Sequence, residues 1–458
     1  MAARLRSTLV LFGAALIASA CEDGPFFPVP DAGAPRDASS SDVDTTIDAG
    51  VATDGAPAED ASPDAGPELD AGTDGGVIDS GGSDATAADA IVAPDAQPCG
   101  FDQPAAADRD RVVLIGQPFG AVTGMRGTEI RSLTLETNGT LQNNGIRLDV
   151  GERAARIEFV PSGEIALVLG EDGELVSVRV NSAQQLQILA RTTLPSAGFG
   201  DLRILSNGTT AFAIGSNSIA TGGVSTVYLG CDGQLTVDAA SFYSLRLADS
   251  LAFLPGEQRA VILGGQAVFD PVDVYDVRLL DRAGGRLSEV QTFDLWMDFT
   301  DTIRIAVSPD GQTLLMPNGS PFSSEGGQVL VARISGNTVT EVDRLMGMDD
   351  AREVVFSPDG QTALVSLLQP GRVVVLADPG SGWQEVDRIA GIGLPEQMAM
   401  VTRGSLSGLV LVPSVDASAA GSNIALLRIT GAGAVSDLGQ LNLAGGNENI
   451  PGAIGLAP

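Results

Sequence analysis

One unit recurs six times along the chain: an alternating apolar strand, a turn closed by glycine, and a second apolar strand. The copies read RIEFVPSG (Arg156 to Gly163), LRILSNG (Leu202 to Gly208), LAFLPG (Leu251 to Gly256), RIAVSPDG (Arg304 to Gly311) and REVVFSPDG (Arg352 to Gly360). A weaker copy, MAMVTRG, runs from Met398 to Gly404. The closing glycines stand 45, 48, 55, 49 and 44 residues apart. Alternation on both sides of a Pro/Asp/Asn-Gly turn is the pattern of a hairpin. Each hairpin is followed by a third strand (LVSVRV, STVYLG, DVYDVRLL, QVLVARI, RVVVLAD, NIALLRI) and a weaker fourth. Four strands in about 40–50 residues is the period of a propeller blade.

The leftover segments say how such a ring would close. The six repeats begin near residues 153, 199, 249, 301, 350 and 395. What remains is IPGAIGLAP at the C-terminus, shaped like an innermost strand, and RVVLIG with EIRSLTLE, shaped like a second and a third strand. Together they make one composite blade, which hides the free sheet edges a ring would otherwise leave. The expectation is an all-β chain folded as a seven-bladed β-propeller with a composite closing blade, over residues 99–458. A β-helix has too short a period, and a two-sheet sandwich has no reason to repeat six times.

Before the repeats the chain changes character twice. In MAARLRSTLVLFGAALIASAC, Arg4 and Arg6 precede a short apolar run, and Ala18-Ser19-Ala20 lead into Cys21. This is a signal-peptide pattern, and the apolar run is too short to span a bilayer. The cysteine at the cleavage point resembles the lipobox of bacterial lipoproteins, with Ala18 where that family usually has Leu. The resemblance implies removal of residues 1–20, lipidation of Cys21, and a place in the cell envelope, on the periplasmic face or the cell surface. An ordinary signal peptide with an incidental cysteine is the other reading. Residues 21–98 then form an Asp/Ala/Gly/Pro-rich stretch in which DAG recurs; from Glu22 to Pro98 it holds 18 acidic residues and one arginine. It has no apolar period and one dominant charge, so a disordered tether is expected. Its 77 residues correspond to a coil of about 50 Å and an extended reach of about 250 Å.

Composition removes whole classes of chemistry. There is no histidine, and all 26 basic residues are arginine. Imidazole bases, Schiff-base lysines and His-ligated metals are therefore excluded. A net charge of −32 repels nucleic acid and anionic headgroups. Acidic residues do recur just before the innermost strands: Asp201, Asp249, Asp301, Asp350 and Glu396. They are candidates for an acidic ring at the channel mouth, with calcium the one metal such a ring suits. The bland reading is solvated loops, with Arg153, Arg156, Arg203, Arg304 and Arg352 interleaved as ion-pair partners. Cys99 and Cys231 are the cysteines left after Cys21, and export makes a disulfide between them the expectation. The leader 99–110 would then have to reach across to the second repeat.

Arg352 to Val375 resembles the YVTN and WD40-like repeats of bacterial envelope proteins and of lactonase-like seven-bladed propellers. The two SPDG turns, at 308–311 and 357–360, carry most of that match. The resemblance implies a fold and leaves function open, because members range from enzymes to scaffolds. The reading that fits the missing catalytic groups is a monomeric, membrane-anchored binding or scaffold module without a cofactor, for an envelope protein or glycan. The alternative is a lactonase-like or other carboxylate- or calcium-dependent hydrolase.

Overall fold

In a computed structural model of the protein, seven antiparallel sheets are arranged as blades around a central channel. The structure describes residues 99–116, 127–181, 184–195, 200–218, 221–266, 274–295, 304–318, 327–369, 371–416, 421–443 and 452–458. All fall within one compact unit, Ala93–Pro458. Every described element is a strand; among the described residues there is no helix. Cys21 and the tether lie outside the described residues.

Blade 1 shows the plan. Its innermost strand, Ala154–Phe159, pairs with Ile165–Gly170, which pairs with Glu174–Val180 and then with the outer strand Leu186–Thr193. Inner strands of the next five blades are Leu202–Ile204, Ser250–Phe253, Ala306–Val307, Ala351–Phe356 and, in blade 6, the pair Leu394–Pro395 and Ala399–Met400. Blade 7 is composite. The C-terminal Ile454–Leu456 is its inner strand, followed outward by Arg111–Gly116, Glu129–Leu135 and Leu141–Asp149. Ile115 faces Ile454 in that pairing and Val113 faces Leu456. The ends of the propeller therefore meet in one sheet.

The turns explain why the sequence carries SPDG. In blade 4, Ser308 Oγ accepts the Thr313 amide at 2.9 Å and donates to Asp310 Oδ1 at 2.5 Å, while that carboxylate also accepts the Gln312 amide at 2.9 Å. Gly311 then supplies a φ of +73° that L-residues resist. Ser357, Asp359 and Gly360 repeat the arrangement in blade 5. A Cβ on Gly311 would sit 2.8 Å from Pro255, in the turn of the preceding blade, so the turns stack as well as fold.

Hydrophobic residues pack between blades in seven clusters, each drawn from two neighbours. Two of them close the ring. Leu114 and Ile130 of blade 7 pack with Ile157 and Val168 of blade 1, and Val113 and Ile454 pack with Leu411 and Ile424 of blade 6. Each fully buried side chain of this kind contributes about 1.5–3 kcal/mol. The outer strands end this packing, and in all seven blades the third-to-outer pairing is interrupted by a bulge, as at Ser177/Val178 and Val331/Ala332. A bulge at every edge twists the unpaired strand away from further pairing.

The leader takes a short route. Because the ring is closed, blade 2 lies one blade beyond the neighbour of blade 7, so the leader passes over blade 1 alone. Ala105 donates to Pro161 O at 3.2 Å and Arg109 to Ser162 O at 3.2 Å, both in the blade 1 turn. Phe101 is buried in the cluster between blades 1 and 2. Cys99 is joined to Cys231, in the blade 2 turn, with Cα atoms 5.0 Å apart. At the other end the Arg111 guanidinium donates to three carbonyls: Ala107 at 2.8 Å, Arg403 at 2.9 Å and Ala457 at 3.4 Å. One side chain thus ties leader, blade 6 and C-terminus together.

Candidate functional site

Each inner strand ends where a backbone amide bonds the start of the blade's second strand: Val160, Leu205, Leu254, Ser308, Ser357, Val401 and Ala457. Four residues before each of these lies one position per blade, in ring order Arg156, Asp201, Ser250, Arg304, Glu353, Gln397 and Ala453. Six of the seven are polar, and all six are buried. This ring is the strongest concentration of polar chemistry in the described fold.

Its bonds join neighbouring blades and also cross the channel. Arg156 Nη1 reaches Glu353 Oε1, from blade 1 to blade 5, at 2.7 Å. The same guanidinium lies 3.6 Å from Asp201 and donates to Glu158 at 3.1 Å. Asp201 is fully satisfied: it accepts from its neighbouring Leu202 amide at 2.9 Å, from Ser250 Oγ at 3.0 Å and from Arg203 Nη2 at 2.9 Å. Ser250 Oγ in turn accepts the Ile305 amide at 3.2 Å. The second Glu353 oxygen takes the Met398 amide. Gln397 and Arg304 both donate to Ala155 O, at 2.7 and 3.2 Å, and Gln397 Oε1 accepts the Ile454 amide at 3.4 Å. Arg304 and Glu353 also bridge their strands through backbone, with Arg304 N donating to Arg352 O at 2.8 Å. All seven blades are stitched together at this level.

Electrostatics follow from the packing. Burial alone would raise the Asp201 pKa, but Arg203, Arg156 and Arg304 outweigh it and hold the carboxyl below its ordinary range. Burial likewise weakens the charged form of Arg156, and Glu353, Glu158 and Asp201 more than restore it. Arg304 is pulled below the usual arginine value by burial and by its neighbour Arg156. Arg156, Arg203 and Arg304 balance Glu158, Asp201 and Glu353 in charge. The network is neutral.

Of the acidic residues expected at a channel mouth, only Asp201 occupies the ring position, and it is buried and paired with arginine. Asp249 stands one residue before Ser250, Asp350 three before Glu353, and Glu396 one before Gln397. Asp350 is buried and lies 2.6 Å from Arg352; Asp249 and Glu396 are partly buried. Asp301 lies outside the described residues. Among the described residues, no group of three or more Asp, Glu or Cys is placed to hold a metal ion. Sequence reasoning missed Ser250, Glu353 and Gln397. A signal was present: Arg156, Asp201, Arg304, Glu353 and Gln397 all stand seven residues before their closing glycines. Ser250 breaks that count because the blade 3 glycine comes one place earlier: the seventh residue beyond Ser250 is Glu257, which is left-handed like Gly256.

From the ring toward the turns the channel widens into a cavity of about 420 Å³. Glu158 and Arg203 border it on one side, with Ala252, Ala306, Val355 and Ala399 across from them. It opens beside the exposed Pro309 and Thr402, in the turns of blades 4 and 6.

No family model and no curated protein matches the chain. Solved structures do resemble it in fold. A 6-phosphogluconolactonase homologue from Bacteroides fragilis superposes with a TM-score of 0.58 at 13% identity, covering 78% of this chain and 100% of that one. The periplasmic gluconolactonase of Pseudomonas aeruginosa gives 0.58 at 15% identity, over 76% and 99% of the two chains. A hypothetical selenium-binding protein from Sulfolobus tokodaii gives 0.54 at 8% identity, over 78% and 95%. Proteins with different names share this likeness, so it establishes one thing about the chain: a seven-bladed β-propeller with lactonase-like structural neighbours.

Proposed function

We propose that the chain is an envelope lipoprotein, held to a membrane by lipid on Cys21 and a long acidic tether. Its propeller acts as a monomeric, non-catalytic binding or scaffold module for an envelope protein or glycan. The observation that carries the non-catalytic part is the pairing of every channel carboxylate with arginine. Asp201 and Glu353 are buried against arginines and backbone amides, and Glu158 is held by Arg156 and Arg203. A general acid or base needs a pKa near the working pH, whereas Asp201 is held low. Calcium needs six to eight oxygen ligands, and of the oxygens on these three carboxylates only Glu158 Oε2 has no hydrogen-bond partner among the described residues.

The competing reading is a lactonase-like hydrolase, which has likeness of fold behind it. One set of measurements on the full chain separates the two. Incubated with glucono-δ-lactone, the protein is expected to leave the spontaneous hydrolysis rate unchanged, and calcium is expected not to raise its melting temperature. Lactone turnover that Glu158→Gln abolishes, or a calcium-dependent rise in melting temperature, would replace the binding reading by the hydrolase one. Mass spectrometry of the mature protein is expected to find acylated Cys21. An unmodified Cys21 would remove the anchor and leave the propeller untouched.

A further inference from the structure

The channel cavity has a lopsided wall. Two residues beyond the ring position, blades 1 and 2 present Glu158 and Arg203, while blades 3 to 7 present Ala252, Ala306, Val355, Ala399 and Gly455. An ion pair on one side thus faces five small apolar residues on the other. At Gly455 the smallness is forced, since a Cβ there would lie 2.5 Å from Ile157 Cγ2. Nearer the opening the wall becomes larger and apolar at Phe356, Met400 and Leu456.

The polar side states what kind of group it would accept. Every Arg203 nitrogen is already engaged, with one N–H left on each terminal nitrogen: Nε donates to Leu251 O at 2.9 Å, Nη1 to Glu158 at 3.3 Å and Nη2 to Asp201 at 2.9 Å. Glu158 is different. Its Oε1 takes all three of its arginine hydrogen bonds, and its Oε2 accepts none among the described residues. The cavity therefore offers a carboxylate oxygen as an unengaged acceptor, while its donors sit on nitrogens already shared with carboxylates or a carbonyl. Its bordering charges, Arg156 and Arg203 against Glu158 and Glu353, already cancel. An added anion would lie beside two carboxylates, and a cation at Glu158 would lie beside two guanidiniums, so each would exchange its hydration for a like-charged neighbour. The volume of about 420 Å³ is in the range of small-molecule sites, about 300–1,000 Å³.

We propose that this cavity binds an uncharged small molecule with a compact apolar body and one hydrogen-bond donor. The donor reaches the Glu158 carboxylate, and the body lies against the small side chains of blades 3 to 7. This rests on the reading of the propeller as a non-catalytic binding module and gives that module a ligand class.

The probe is 2-naphthol, titrated against the full chain carrying Cys21→Ser to keep it free of lipid, with 2-naphthoate and 2-naphthylmethylammonium as charged counterparts of the same shape. Saturable one-site binding of 2-naphthol is expected, with each charged probe weaker by about tenfold or more, a difference of about 1.4 kcal/mol. Ala306→Phe and Ala399→Phe, made separately, fill the cavity from different blades. Each folded variant is expected to lose 2-naphthol binding while keeping its melting temperature. The proposal is overturned if the unsubstituted chain shows no saturable binding, if a charged probe binds as tightly as 2-naphthol, or if a folded filled variant still binds. None of these outcomes bears on lactone turnover or calcium, so the non-catalytic reading stands or falls separately.

Discussion

Arg156 sits where a hydrophobic residue would be the simpler choice, buried at the axis and touching carboxylates from three blades. Buried ion pairs often add little net stability over an apolar replacement, but removing one partner leaves the others desolvated and unpaired. Arg156→Met is therefore expected to cost about 3–5 kcal/mol. Adding Glu353→Gln should recover part of that loss, because the stranded carboxylate is gone; denaturation midpoints of the two singles and the double measure the coupling. Additive losses would mean that the cross-channel pair is not coupled. The turns offer a second comparison at this scale. Gly256 and Gly311 both have positive φ, at +82° and +73°, but only Gly311 has a neighbour where a Cβ would go. Gly256→Ala should cost about 1 kcal/mol, the conformational penalty alone, and Gly311→Ala distinctly more. Chain identity at these positions was readable in the sequence: SPDG named its own turn chemistry. Which polar side chains meet was not readable. Arg156 and Glu353 are 197 positions apart, and nothing local specifies that two inner strands face each other across a channel.

Strand order and ring closure were legible because each blade repeats one pattern and the fragments at the two ends complement each other. RVVLIG and IPGAIGLAP are incomplete alone, and the pairing of Ile115 with Ile454 completes them. Less legible was the register. In blade 3 the glycine stands one place earlier within a turn of the same length, so a count back from it lands on Asp249 instead of Ser250, and a list of acids near strand starts picked up one ring member out of seven. The edge bulges left an uneven mark: in blades 4 and 5 the bulged residues are ordinary strand formers, Val342 and Val386, whereas in blades 6 and 7 they include Gly439 and Gly145 at positive φ. The leader shows how topology changes an expectation: a reach to blade 2 looks long along the chain and is short around a closed ring. The Cys99–Cys231 bond closes a sequence separation of 132 residues. Replacing both cysteines by serine is expected to cost about 2–4 kcal/mol, most of it through the unfolded chain. Phe101 and Arg109 should still hold the leader in the folded state, so proteolysis at 99–110 ought to rise only modestly. Rapid cleavage there, without loss of the propeller, would show that the disulfide alone fastens the leader.

At the scale of the molecule two charge effects oppose each other as pH falls. Residues 99–458 carry 40 acidic and 23 basic side chains, a net of −17, and self-repulsion at that charge weakens the compact state. Mild acidification relieves it. Glu152 acts in the same direction: burial, then the nearby Asp172, raise its pKa, so the folded state binds that proton more readily than the unfolded chain and gains stability as pH falls toward it. Asp201 acts the other way. Its folded pKa lies below its unfolded value, near about 3.9, because the arginines outweigh burial. Its contribution is therefore complete above the unfolded value and is lost as pH falls through the folded one. Melting temperature should accordingly rise gently from pH 7 to about 5 and drop steeply below about 4. Asp201→Asn separates the terms. It removes the carboxylate that Arg156 and Arg203 share, so it should melt lower at pH 7, yet its acid limb should be shallower because the group that titrates at the axis is gone. A variant with a lowered plateau and an unchanged acid limb would place the acid sensitivity elsewhere, in the loops rather than in the charged ring that joins the seven blades.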